Sequence, residues 1–186
     1  MSLRRPSLRL LALPLAVGLP LMVLGYTELA ARTLSGTPPA MAEASAQADR
    51  ILVEKSARRL TLLRQGVALA QYQIALGGAP EGHKTREGDQ RTPEGIYQLD
   101  WRNPNSVAHL SLHVSYPDAA DRAAAEAEGV DPGGNIMIHG LPNGWGFLGG
   151  LHRRFDWTDG CIGVTNEEMR DIWSRSPNGI EIEIRA

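Results

Sequence analysis

The chain is short of the residues that make covalent staples and metal cages. One cysteine among 186 residues cannot form an intramolecular disulfide, and no Cys/His grouping has the spacing of a zinc site. Neither a metal nor a cofactor is expected. Neither sign of charge is in surplus: 19 lysines and arginines face 21 aspartates and glutamates, for a formal net charge of −2. Without a basic excess or a basic–aromatic repeat, nucleic acid is not an expected partner. No internal repeat is visible. With 42% apolar and 22% charged residues, the composition fits one compact domain plus a short appendage and argues against wholesale disorder.

Long apolar runs are equally scarce. Leu10 to Thr27 is an uncharged run of 18 residues preceded by Arg4, Arg5 and Arg9. A basic head followed by an apolar core marks an export signal or a membrane anchor, and this length lies on the border between the two. Pro14 and Pro20 would kink a soluble helix, whereas lipid-buried helices tolerate proline. Cleavage sites are poor: Ala40-Met41-Ala42 lies too far from the run, and Leu29-Ala30-Ala31 places a bulky leucine where a small residue is preferred. An uncleaved anchor is therefore favoured over a cleaved signal. The arginines stay in the cytoplasm, so the remainder is expected outside, in the periplasm or cell envelope, tethered to the inner membrane. Residues 1–29 are assigned to the signal or anchor, 30–48 (rich in Ala, Ser, Thr and Pro) to a linker, and 49–186 to the globular domain.

Within that domain, Ile51–Val53, Leu60–Leu63 and Leu69–Leu76 read as strands separated by Ser56-Ala57 and Gln65-Gly66, as in successive hairpins. Thr92-Pro93-Glu94-Gly95 is a turn feeding the strand Ile96–Leu99. Leu110–Ser115 alternates with period two, placing Leu110, Leu112 and Val114 on one face and Ser111, His113 and Ser115 on the other. Asp118–Gly129 is an alanine-rich helix closed by glycine. Thr165-x-x-Glu168 has capping-box spacing and opens a short helix with Met169, Ile172 and Trp173 as its apolar stripe. Ile180, Ile182 and Ile184 alternate in a last strand. About seven or eight strands and two short helices predict a mainly β, sandwich-like or barrel-like domain.

The chemistry concentrates between Asn135 and Asn166. Cys161 sits in the turn-forming context Thr158-Asp159-Gly160, and His139 closes the apolar run Ile136–Ile138. A thiol becomes a nucleophile when a base or cation assists it, and imidazole is the usual partner. An inert buried thiol is the ordinary alternative. All five histidines precede Cys161, which disfavours the papain-like order. The two-barrel plan of chymotrypsin-like cysteine proteases needs more than the 137 residues (186 − 49) left after the linker. His139, 22 positions before Cys161 (161 − 139), ends a strand and can stand at a sheet rim. A carbonyl bonded to its Nδ1–H would aim Nε2 at sulfur. His152, beside Arg153 and Arg154, reads as a surface or substrate-contacting group. His113 reads as a partly buried histidine, and His83 as a loop residue. Gly160 allows the backbone to turn successive N–H groups toward one point, as an oxyanion hole requires, or simply serves a turn.

His139-Gly140, a spacer with Trp145 and His152, then Thr158-Asp159-Gly160-Cys161-Ile162 resembles the signature of the L,D-transpeptidase catalytic domain, the YkuD-like family. Thr92-Pro93-x-Gly95 resembles that family's Thr-Pro-x-Gly element, and the resemblance spans roughly Asp49 to Arg185. It implies a β-sandwich-like catalytic domain with Cys161 as nucleophile and His139 as base. It also implies that the Gly140 carbonyl holds the imidazole and that the Gly160 and Cys161 amides form the oxyanion hole. The implied substrates are peptidoglycan stem peptides, as acyl donor and acceptor, with Arg153, Arg154, His152 and Asp159 as candidate contacts and Lys84 or Arg86 as further cations. Two positions depart from the commonest motif: Asp159 stands where a histidine is usual, and Gly163 where an arginine or asparagine is usual. This resembles a branch with Asp-Gly-Cys, in which hydrolysis accompanies or replaces transpeptidation. A non-catalytic, membrane-tethered wall-binding module is the rival from another class.

Overall fold

The structure, a computed structural model, describes residues 12–186; Arg4, Arg5, Arg9 and the first residues of the apolar run lie outside the described residues. Two tight turns start the sheet. Strand β1 (Arg50–Glu54) pairs antiparallel with β2 (Arg59–Arg64), which pairs antiparallel with β3 (Val67–Gln73). The β2–β3 turn uses Gln65 and Gly66 at φ 50° and 77°, the left-handed pair that a two-residue hairpin requires. The longest strand, β4 (Gly95–Asn103), is followed by β5 (Ser111–Val114), β6 (Met137–His139), β7 (Ile162–Gly163) and β8 (Glu181–Arg185). The eight strands form one sheet in the order β3-β2-β1-β8-β4-β5-β6-β7.

β4 joins the two halves of this sheet. Its first residues pair with β8, and after an irregularity between Leu99 and Trp101 its remainder pairs with β5. A bulge bends a strand and increases its twist, and the sheet curls into a mainly β half-barrel. The expected alternation supplies the interior: Leu110, Leu112, Val114, Ile51, Val53 and Ile182 are fully buried. Each such side chain contributes roughly 1.5–3 kcal/mol when removed from water. The strand expected over Leu69–Leu76 is shorter than its apolar length. Ala75 instead bridges to Gly163 and Gly77 to Thr158, so this end of the run leaves its hairpin to pack against the segment carrying Cys161.

Both expected short helices form, and each is capped by its own side chains. In α2 (Ala119–Glu128) the Asp118 carboxylate accepts from the Ala120 and Asp121 amides, and Gly129 closes the helix at φ 69°. In α3 (Asn166–Arg175) the Glu168 amide donates to Thr165 Oγ1 at 3.3 Å while the Thr165 amide donates to Glu168 Oε2 at 2.9 Å. Met169, Ile172 and Trp173 bury its apolar stripe.

A further helix, α1 (Ala12–Thr33), precedes the domain and touches it. Tyr26 donates its hydroxyl to the Gly144 carbonyl at 2.9 Å, and Trp145 Nε1–H donates to Thr27 Oγ1 at 3.3 Å. Beyond α1 the stretch expected as a linker runs along the domain surface. The Gly36 amide donates to His109 O at 2.9 Å, and the Ala42 and Ala48 amides donate to Ser174 O and Arg175 O at 2.8 Å each. Among the described residues, no helix is long and apolar enough to cross a membrane.

Candidate active site

β6 and β7 run parallel, with Ile138 beside Ile162 and His139 beside Gly163. The residue entering β7 is Cys161, so the two short strands bring the thiol and the imidazole to the same sheet end. Both line one cleft of about 430 Å³, together with Ser106, Met137, Trp157, Thr158 and Asp159.

His139 is buried, and its Nδ1 lies 2.6 Å from the Gly140 carbonyl oxygen. A carbonyl only accepts, so Nδ1 carries the proton and Nε2 is the basic nitrogen. The Trp157 ring meets the imidazole nearly edge-on, with centroids 5.6 Å apart. Burial holds the imidazole pKa below its ordinary value, and the Gly140 carbonyl opposes that shift only in part. Position 140 must be glycine: a β-carbon there would approach Asn166 Oδ1 to 2.7 Å and His109 Cβ to 2.9 Å. Asn166 Oδ1 also accepts the Leu141 amide at 2.9 Å. Since Asn166 opens α3, the capped helix end reaches across to fix the loop whose carbonyl orients His139.

Cys161 is part-buried, and its thiol points at the Asn135 carbonyl oxygen at 3.6 Å. Burial pushes the thiol pKa up and the Asp159 charge pushes it further. The Met137 amide and Lys84 act in the opposite sense. Both residues of the pair are thus biased toward their uncharged forms, a thiol beside a neutral imidazole. Such an arrangement is chemically suited to general-base removal of the thiol proton rather than to a standing thiolate.

The turn before Cys161 is built on Thr158. Its hydroxyl donates to the Cys161 carbonyl at 2.7 Å and accepts the Gly160 amide at 3.2 Å. Gly160 sits at φ 115°, and a β-carbon there would lie 2.4 Å from the Arg91 carbonyl oxygen. The preceding Asp156 ties this turn to the sheet, pairing with Arg58 at 2.7 Å and accepting the Leu76 amide at 2.9 Å.

Of the candidate substrate contacts, Asp159 is exposed and lines the cleft. His152 lies elsewhere. It is buried, its Nδ1 accepts from Trp157 Nε1–H at 3.2 Å, and it borders a separate apolar cavity with Leu148, Leu151 and Phe155. Arg153 pairs with Glu168, while Arg154 is exposed. Neither arginine is among the residues lining the cleft. The cause is local: all three belong to the 3-10 segment Gly146–Arg154, which is kinked at Gly149. Lys84 is buried and its ammonium is taken by Asp89 at 2.9 Å and the Arg86 carbonyl at 2.9 Å, and Arg86 is exposed. His113 meets Asp100 at 2.5 Å and stacks on Trp101. His83 is more than a loop residue: its Nδ1 accepts the Glu94 amide at 2.9 Å and its Nε2 meets Asp121 at 3.0 Å.

Sequence reasoning missed Asn166 and Asn135 as site builders. Asn166 follows the capping threonine directly, so its position was visible, but nothing local tied it to residues 25 positions upstream.

Comparison with known proteins agrees with this architecture. The model of the YkuD family, described as the L,D-transpeptidase catalytic domain, matches residues 48–184. YafK of Escherichia coli strain K12, itself assigned to the L,D-transpeptidases only provisionally, is 30% identical over 108 residues. That match covers 56% of this chain and 36% of YafK, so the chain spans only part of the length of the curated relatives it resembles. The helical cell shape determining protein Pgp2 from Campylobacter jejuni shares the fold with a TM-score of 0.57 and 21% identity, over 86% of this chain and 55% of that one. Bd1075 of Bdellovibrio bacteriovorus does so with a TM-score of 0.52 and 22% identity, over 82% and 53%. With a family model matching well over half of its residues around a Cys161–His139 cleft, the chain belongs to the L,D-transpeptidase catalytic domain family.

Proposed function

We propose that the domain is a cysteine acyltransferase acting on peptidoglycan stem peptides in cell-wall biogenesis and remodelling. The observation carrying this reading is the single cleft shared by Cys161 and His139, with His139 Nδ1 held 2.6 Å from the Gly140 carbonyl. Nε2 of His139 takes the Cys161 proton as sulfur attacks the donor carbonyl, and the carbonyl π pair moves onto oxygen. The tetrahedral intermediate collapses, the C–N bond breaks, and the imidazolium returns its proton to the departing amine, leaving a thioester on Cys161. An acceptor amine, deprotonated by the same imidazole, then attacks the thioester carbonyl; the C–S bond breaks and the imidazolium returns its proton to the Cys161 sulfur. The Cys161 amide is the proposed oxyanion donor. The Gly160 amide bonds Thr158 Oγ1 and contributes to the hole only if it turns from that hydroxyl. Export and tethering through residues 1–29 belong to the same proposal and rest on the basic head and apolar run of the sequence.

A second reading, hydrolysis of stem-peptide bonds by an Asp-Gly-Cys branch member, is favoured by one observation. Asp159 stands exposed at the cleft, where its charge opposes a donor whose leaving group ends in a carboxylate. Water in place of the acceptor amine then gives an endopeptidase, whose leaving amine need not end in a carboxylate; this charge does not favour a carboxypeptidase, which expels a group that does.

The test is intact mass after incubation with a carbapenem-type β-lactam. We expect a covalent adduct that Cys161→Ala abolishes and His139→Ala forms far more slowly while remaining folded. A folded wild-type domain without a Cys161-dependent adduct would return it to the non-catalytic wall-binding module. Product analysis of digested peptidoglycan separates cross-links from hydrolysed stems.

A further inference from the structure

Two elements far apart in sequence gather apolar surface beside the cleft. The 3-10 segment and the residue after it expose Phe147 at 75%, Leu151 at 60% and Phe155 at 74%. Helix α1 exposes Met22 at 73% and Leu29 at 62%, which are seven residues apart and so share a helix face. The two elements are joined physically. The Tyr26 ring meets Trp145 edge-on at 6.1 Å, and Trp145 meets Phe147 at 5.8 Å. Thr27 of α1 shares with Leu151 and Phe155 the wall of an apolar cavity of about 490 Å³. Pro142 and Trp157 line both this cavity and the catalytic cleft. Large apolar side chains grouped this way on a surface mark an interaction site.

Continuity and charge argue for the occupant. The patch overlaps the end of the apolar run from Leu10 to Thr27, within the same helix. Arg153 and Arg154 directly follow Leu151-His152, and Arg154 is exposed. Aromatic and aliphatic side chains next to arginines have the composition of segments that sit at a membrane–water interface. We propose that residues 146–155 and the end of α1 beyond the apolar run together seat on the surface of a lipid bilayer, with Phe147, Leu151 and Phe155 buried below the headgroups. Seated so, the domain holds its cleft at a fixed height and reaches only the stem peptides next to the membrane. This rests on reading the N-terminal segment as a membrane contact, and is independent of the chemistry at Cys161.

The experiment uses the full chain with vesicles of phosphatidylethanolamine and phosphatidylglycerol, measuring flotation and amide hydrogen exchange together. We expect the chain to float and the amides of residues 146–155 to exchange about tenfold or more slowly with vesicles than in lipid-free detergent. In the triple variant Phe147→Ser, Leu151→Ser, Phe155→Ser, we expect flotation through the N-terminal run without that protection, and carbapenem acylation at the wild-type rate. Flotation of the wild type with unchanged exchange at 146–155 overturns the seating and leaves the tether standing. Failure to float overturns both. Protection that appears without lipid and grows with protein concentration assigns the patch to a second copy of the chain, and also overturns the proposal.

Discussion

Asn166 offers the sharpest test of how the imidazole is positioned. Its Oδ1 accepts the Leu141 amide at 2.9 Å, and the side chain is wedged so closely between Gly140 and Gly146 that a β-carbon at either would collide with it. Asn166→Ala deletes that acceptor and leaves a part-buried N–H without a partner, a loss of about 1–3 kcal/mol. The same deletion opens space beside the Gly140 carbonyl that holds His139 Nδ1. If about 1.4 kcal/mol of the loss falls on the transition state, carbapenem acylation slows roughly tenfold. Asn166→Asp keeps an oxygen acceptor and should recover much of the rate. Its added charge near His139 should raise the imidazole pKa and move the acid limb of the pH–rate profile upward, a shift that a loss of packing alone does not produce. Second-order acylation rates from intact mass, measured from pH 5 to 8 with thermal unfolding in parallel, provide the readout. Wild-type acylation by a folded Asn166→Ala variant would refute the reasoning.

Because burial holds the His139 pKa below its ordinary 6.5, acylation should be insensitive to pH just above that value and fall only below it; an acid limb centred at or above 7 would exclude His139 as a buried neutral base. Stability should follow the same sign. His139, His109 and His152 all have depressed folded-state pKa values, so their contribution is fully present above pH 6.5 and lost as pH falls through the folded values, because only the unfolded chain takes up the protons. Melting temperature should therefore decline below pH 6.5, and a melting temperature that rises there would contradict it. Gly160→Ala should cost at least 1–3 kcal/mol, about the strain of a non-glycine residue at such a φ, since its methyl would also overlap the Arg91 carbonyl; an unchanged melting temperature would show that the turn relaxes freely.

Much of the fold was legible because its signals are local. Period-two alternation placed Leu110, Leu112 and Val114 inside, Gln65-Gly66 announced a hairpin, and the Thr165–Glu168 spacing announced a helix start. Each depends on backbone preference or a neighbour within four residues. Less legible was how far each apolar run belongs to a strand: Ala75 has a strand-like neighbourhood, yet its partner is Gly163, a choice made by sheet closure. The linker composition likewise gave no hint that Gly36, Ala42 and Ala48 would bond to the domain, because backbone groups leave no mark in side-chain sequence.

The sequence by itself determined the chemical inventory: one thiol, five histidines that all precede it, and a glycine after the histidine at a strand end. Tertiary structure alone decided which of these meet. His139 joins Cys161 because β6 and β7 are neighbours in the sheet, whereas His152, nearer in the chain, is turned into an apolar cavity by the kinked segment that carries it. It also biases both groups toward their uncharged forms. Whether a thiol and an imidazole stand as an ion pair or as a neutral pair depends on how much water each retains, and desolvation is a property of the packed site that no single residue's identity carries.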